Sequence, residues 1–96
     1  MSISDFSEAR KAVSPPRRER VQQRNRAVAA RYYYWAELQR RREDDVRRLL
    51  CDNEFFVEER TVANALADQS DYLALLIRNR TSRSELRRLH PGFDWR

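Results

Sequence analysis

Arg60, Thr61 and Asn64 lie within little more than one turn of a predicted helix, and their side chains form a base-reading set. Arginine can take guanine bidentately, asparagine can take adenine, and threonine suits a phosphate or a thymine methyl. Asn64 stands three residues beyond Thr61 and four beyond Arg60, so the three share one helical face, opposite Val62 and Leu66. A second set suits phosphates: Arg17, Arg18, Arg20, Arg24 and Arg31 on the polar sectors of an earlier helix. Cations near a helix start oppose the helix dipole, so their presence there points to a polyanion. A third set, Tyr33 and Tyr34, belongs to the aromatic run Tyr32-Tyr33-Tyr34-Trp35 and is the candidate partner-binding pair.

Catalysis finds few groups to work with. His90 is the only histidine, too little to assemble a convincing His-Cys metal cluster or His-based nucleophile pair. Asp44 and Asp45 are adjacent, so their carboxylates diverge and serve better as helix-start acids than as a two-metal site. With one glycine there is no phosphate-cradling loop. The expectation is a protein that is not an enzyme and carries no cofactor or metal.

The elements that must position these residues are helices. In 96 residues there are one Gly and three Pro, and no β-branched run, which favours an all-α fold. A charged content of 36% against 41% hydrophobic implies long solvated faces around a modest core. No apolar run is long enough for a membrane span or a signal peptide. A single cysteine, Cys51, can form no internal disulfide, so a reducing, cytoplasmic setting is expected. Charge is uneven. Eleven basic and four acidic residues give Met1–Arg42 a charge of +7, while nine basic and eleven acidic give the rest −2. The basic half points to nucleic acid first and an acidic membrane surface second; the partner expected is DNA, with RNA or an acidic protein as alternatives and no membrane.

Residues 1–15 read as a weakly ordered segment, or a short helix from Ser4, ended by Ser14-Pro15-Pro16. Residues 16–96 read as a single helical domain, a bundle of four to five helices. A long basic helix is expected from Arg17 to Arg42, with Val21, Val28 and Trp35 as its spine. Arg40, Arg41 and Arg42 would then face the negative end of its dipole. Four consecutive aromatics sweep most of a helix circumference. Either this helix is central and packed on several sides, or Tyr33 and Tyr34 wait for a partner or a second copy. A second helix is capped by Asp44 and ends near Asp52-Asn53, and a third starts near Glu58 or Glu59. Residues 59–78 fit one helix, or two with Ser70 capping the second. Ser82 and Glu85 form a capping box for the last helix, and Phe93 and Trp95 fold back onto the core.

Asp45 to Leu66 therefore reads helix, turn, helix. Val57-Glu58-Glu59-Arg60-Thr61-Val62-Ala63-Asn64-Ala65-Leu66 resembles the recognition helix of helix-turn-helix DNA-binding proteins. In that family Val57, Val62 and Leu66 match the locking positions, and Arg60, Thr61 and Asn64 match positions that face DNA. Two features depart from the pattern: the turn carries Phe55-Phe56 instead of a small residue, and Glu58 and Glu59 open the helix. From Arg17 to Trp95 the layout resembles short transposase-associated proteins of bacterial mobile elements, with a more distant likeness to phage small terminase subunits. The resemblance implies a DNA-associated accessory protein, not a catalytic one. The alternative is a non-enzymatic interaction or oligomerisation module that docks through the Tyr-rich basic helix.

Overall fold

The computed structural model describes residues 16–96, so the segment 1–15 lies outside it. The described residues are helical with no strand. Helix α1 spans Arg17–Tyr33, α2 Glu43–Leu49, α3 Glu59–Asp68, α4 Ser70–Arg78 and α5 Arg83–Leu89. The expected all-α bundle of four to five helices has five.

Helix α1 is the partition of the molecule. On one flank Val28 packs with Val46 and Leu50 of the second helical segment and with Val62 and Ala65 of α3. On the other, Ala30, Tyr33 and Tyr34 pack with Leu76 of α4, Leu86 of α5 and Trp95. Val28 and Tyr33 are five residues apart, about 140° around a helix, so α3 and α4 lie on nearly opposite flanks. Trp35 touches both clusters. A helix packed this way can bury aromatics on several sides at once. That is why the Tyr run needs no partner: Tyr33 and Tyr34 are 2% and 3% exposed.

The first helix is shorter than expected. It widens into a π turn at Tyr34–Leu38, Arg40 takes a left-handed conformation (φ 59°), and Arg42 is the extended residue that starts α2. Arg40–Arg42 are therefore not the end of a helix, and the dipole argument does not apply to them. The guanidinium of Arg41 instead lies 5.6 Å from the Trp35 ring centroid. The boundary was hidden because no glycine marks the left-handed position. The same device follows sixteen residues later. A π turn at Leu50–Glu54 leads to left-handed Phe56 (φ 55°), and extended Glu58 opens α3. In both turns two backbone bonds spanning five and six residues close the loop: Gln39 N to Tyr34 O and Arg41 N to Trp35 O, then Phe55 N to Leu50 O and Val57 N to Cys51 O.

Phe56 is 76% exposed as well as left-handed. A left-handed residue with a side chain costs about 1–2 kcal/mol. Glycine removes that cost but gains more freedom when unfolded. Phe56→Gly is expected to raise stability by about 0.5–1 kcal/mol, the balance of the two effects, read as a higher urea midpoint. A lower midpoint would mean that the ring packs against something in solution.

Glu43, Asp44 and Asp45 all sit in the first turn of α2, where the dipole favours acids. Arg42 occupies the cap position, not Asp44, whose Oδ1 accepts from the Asp45 backbone N–H at 3.1 Å. Residues 59–78 form two helices broken at Gln69 (φ −108°, ψ 28°), which also takes the cap position expected for Ser70. The capping box is present, with Ser82 Oγ accepting from Glu85 N–H at 3.2 Å. Leu86 is buried beneath that helix, whereas Leu89 and Ile77 are largely exposed. The chain beyond α5 folds back as expected. Trp95 is fully buried and its indole N–H donates to His90 O at 2.8 Å. His90 Nε2 lies 2.7 Å from Tyr72 Oη. Burial first, and the nearby Arg26 charge second, hold the imidazole pKa below its ordinary value. The neutral ring is thus favoured, and its Nε2 can accept a hydrogen bond that the Tyr72 hydroxyl donates.

Candidate nucleic-acid interface

Helix α3 is held by its apolar side. Val62 and Ala65 are buried against Val46 and Leu50, and Leu66 and Val57 are half-buried at the edges of the same cluster. The two helical segments and the turn at 55–58 thus form one packed helix-turn-helix-like unit. Its outward side carries Arg60 and Asn64, both exposed, with Ala67 one turn on; Thr61 is half-buried. The Thr61 backbone N–H donates to Glu58 O at 2.9 Å, closing the first turn. Small residues on this stripe, half-buried Ala63 and exposed Ala67, leave room for close approach by a ligand.

The charges around the unit are mixed. A groove of about 500 Å³ between α2 and the start of α3 is lined by Asp44, Asp52, Glu58 and Glu59 against Arg47 and Arg48. Cys51 also lines it, and burial first, then Asp52, pushes its thiol pKa up, the opposite of what a nucleophile requires. At the far end of α3, Asp68 accepts from the buried Asn25 amide at 3.1 Å and from Gln69 at 3.0 Å. These bonds, Asn25 first, hold its carboxyl pKa below the ordinary value. Arg24 in turn donates to Asn25 Oδ1 at 3.0 Å. A hydrogen-bonded chain therefore sets Arg24 at the C-terminal end of α3.

The five α1 arginines of the phosphate set are not equivalent. Arg17, Arg18 and Arg20 are exposed at the start of α1, and half-buried Arg24 is held on Asn25. Arg31 has left the surface. It is 3% exposed, its Nε donates to Glu54 Oε1 at 2.8 Å and its second terminal nitrogen to Glu54 Oε2 at 2.5 Å. The remaining nitrogen donates to Asp94 O. The rings of Tyr34, Trp35, Phe93 and Trp95 surround it, with centroids 4.7–5.6 Å from the guanidinium carbon. A guanidinium satisfied this fully and shielded this well cannot reach a phosphate, so Arg31 is corrected from a ligand-binding residue to a core residue. Tyr33 and Tyr34 are corrected likewise. Tyr33 Oη donates to Thr81 O at 2.7 Å and Tyr34 Oη to Arg96 O at 3.0 Å. Their hydroxyls complete internal hydrogen bonds and offer a partner nothing.

Sequence reasoning passed over two basic features. Arg26 is exposed on α1 and stacks its guanidinium over the Tyr72 ring at 4.9 Å. Arg40, Arg78 and Arg80 converge on a groove between the ends of α1 and α4. Arg40 stands 38 residues before Arg78 in the sequence, which gave no sign of this. Among the described residues no group of three His, Cys, Asp or Glu side chains is placed to hold a metal ion, and no helix is long and apolar enough to cross a membrane. No family model, curated protein or solved structure matches the chain.

Proposed function

We propose that this chain is a non-enzymatic DNA-binding accessory or regulatory protein that presents α3 to the major groove, with the exposed arginines of α1 on phosphates. The observation that carries the reading is the division of α3. Val62 and Ala65 lock it onto the second helical segment, while Arg60 and Asn64 stand exposed on its other side. A helix held at its back and polar at its front is what base readout requires. The +7 charge of the first 42 residues supports the same reading by supplying the sequence-independent attraction. The link to a mobile element or phage rests on the sequence resemblance alone. Four acids beside the start of α3 oppose it locally, so the approach must leave that groove to solvent.

Competition binding against a site selected from random DNA tests the reading. Arg60→Ala and Asn64→Ala should each keep the melting temperature and lose about 1–3 kcal/mol of preference for that site. Replacing Arg17, Arg18 and Arg20 together by Gln should weaken all sequences alike and flatten the dependence of affinity on salt, because fewer counterions are released. Adding Arg31 to that set would confuse the result, since its loss would strike the core. No selected site, or a site preferred as strongly by both α3 variants, would remove α3 from base reading.

A further inference from the structure

We propose that the groove between the end of α1 and the end of α4 is a docking site for an acidic protein segment carrying a bulky apolar residue. The groove has a volume of about 720 Å³ and is lined by Arg40, Arg78 and Arg80 together with Leu38 and Ile77. Among the described residues that line it, Glu37 is the only acid. Among the described residues none of the three arginines forms an ion pair. Ile77 is 43% exposed, so apolar surface is open within a basic frame.

The positions of the arginines sharpen this. Arg78 lies in the last turn of α4, where the helix dipole alone explains a cation. Arg40 and Arg80 lie just past the last turns of their helical segments, where that attraction fades. Both are left-handed, with φ of 59° and 50°, at turn positions where glycine or asparagine would remove strain of about 1–2 kcal/mol. The turns demand the backbone shape but not the guanidinium. Strained residues of this kind cluster at sites of use. Three unpaired guanidinium forks match carboxylates bidentately, and exposed Ile77 matches an apolar anchor between them.

Nucleic acid fits this groove less well. A phosphate backbone brings no apolar group for Ile77 and Leu38. The groove also belongs to the α4 flank of α1, about 140° around the helix from the flank that holds α3. The inference stands on the groove's own chemistry and does not depend on the DNA reading.

The test is selection of displayed random peptides on the immobilised full chain, followed by fluorescence anisotropy with the selected peptide. Selected sequences should carry Asp or Glu around a Leu, Ile, Phe or Met. The Arg40→Gln, Arg78→Gln, Arg80→Gln triple variant should bind the peptide about tenfold or more weakly, the loss expected on removing charge-assisted contacts, with an unchanged melting temperature. Ile77→Ser should weaken it too, and Arg60→Ala, on the other flank, should not. Absence of enrichment, enrichment without acids, or equal binding by the triple variant would overturn the proposal. So would displacement of the peptide by a short DNA duplex that itself loses affinity for the triple variant, since the groove would then be nucleic-acid surface.

Discussion

Glu54→Ala should destabilise the protein by about 3–5 kcal/mol, the range for leaving one member of a buried ion pair without its partner. Glu54 satisfies Arg31 through both oxygens and also accepts from the Trp35 indole N–H at 2.9 Å. Its removal strands a guanidinium that is 3% exposed and one indole donor beside it. Domains of this size have total stabilities of about 4–12 kcal/mol, at roughly 0.05–0.15 kcal/mol per residue. The variant should therefore sit near its unfolding midpoint at modest urea. Arg31→Met combined with Glu54→Leu should recover part of the loss, because an apolar pair leaves no orphaned charge. A loss below about 1 kcal/mol for Glu54→Ala would place Arg31 in contact with water and return it to the candidate phosphate ligands.

Trp95→Ala should cost about 3–5 kcal/mol, the range for truncating a large buried aromatic. Trp95 is 2% exposed and meets Tyr34 edge-on at 5.5 Å and Phe93 at 5.9 Å. Its ring also covers Arg31 at 4.8 Å. Without it, water reaches the guanidinium, so part of the penalty for losing Glu54 disappears. The Trp95→Ala and Glu54→Ala double variant should thus lose less than the two single losses together, by about 0.5–3 kcal/mol, as residues of one network do. Strict additivity in urea titrations would show that the ring and the ion pair are energetically separate.

The sequence carried the helix class, the capping box at Ser82 and Glu85, the start of α3 and the return of Trp95 to the core, because local patterning decides each of these. The division of α3 was legible for the same reason: Val62 and Arg60 differ in kind and lie on opposite sides of one helix. Arg31 was not legible. Its apolar and aromatic neighbours set it apart from Arg24 but name no acid that could pair with a buried guanidinium. What buries it is Glu54, 23 residues on, and Asp94, 63 residues on. Tyr33 and Tyr34 turned on whether α1 had neighbours on one flank or two, which periodicity in α1 alone does not say. The end of α1 was misplaced because Arg40 holds a left-handed position that sequence reading reserves for glycine.

The lid over Arg31 also sets a schedule for synthesis. The cluster of Val28, Val46, Leu50, Val62 and Ala65 uses nothing beyond α3, and Glu54 is already present to pair with Arg31. Trp95, which closes the opposite side, is made some 30 positions later than Ala65. At about 5–20 residues per second a bacterial or eukaryotic ribosome needs a few seconds to cover that distance. A chain folded only through α3 would hold Arg31 and the Tyr34 ring without the cover that Trp95 gives them. A chaperone that binds such rings would favour chains not yet closed by Trp95 over closed ones, in which Trp95 is buried.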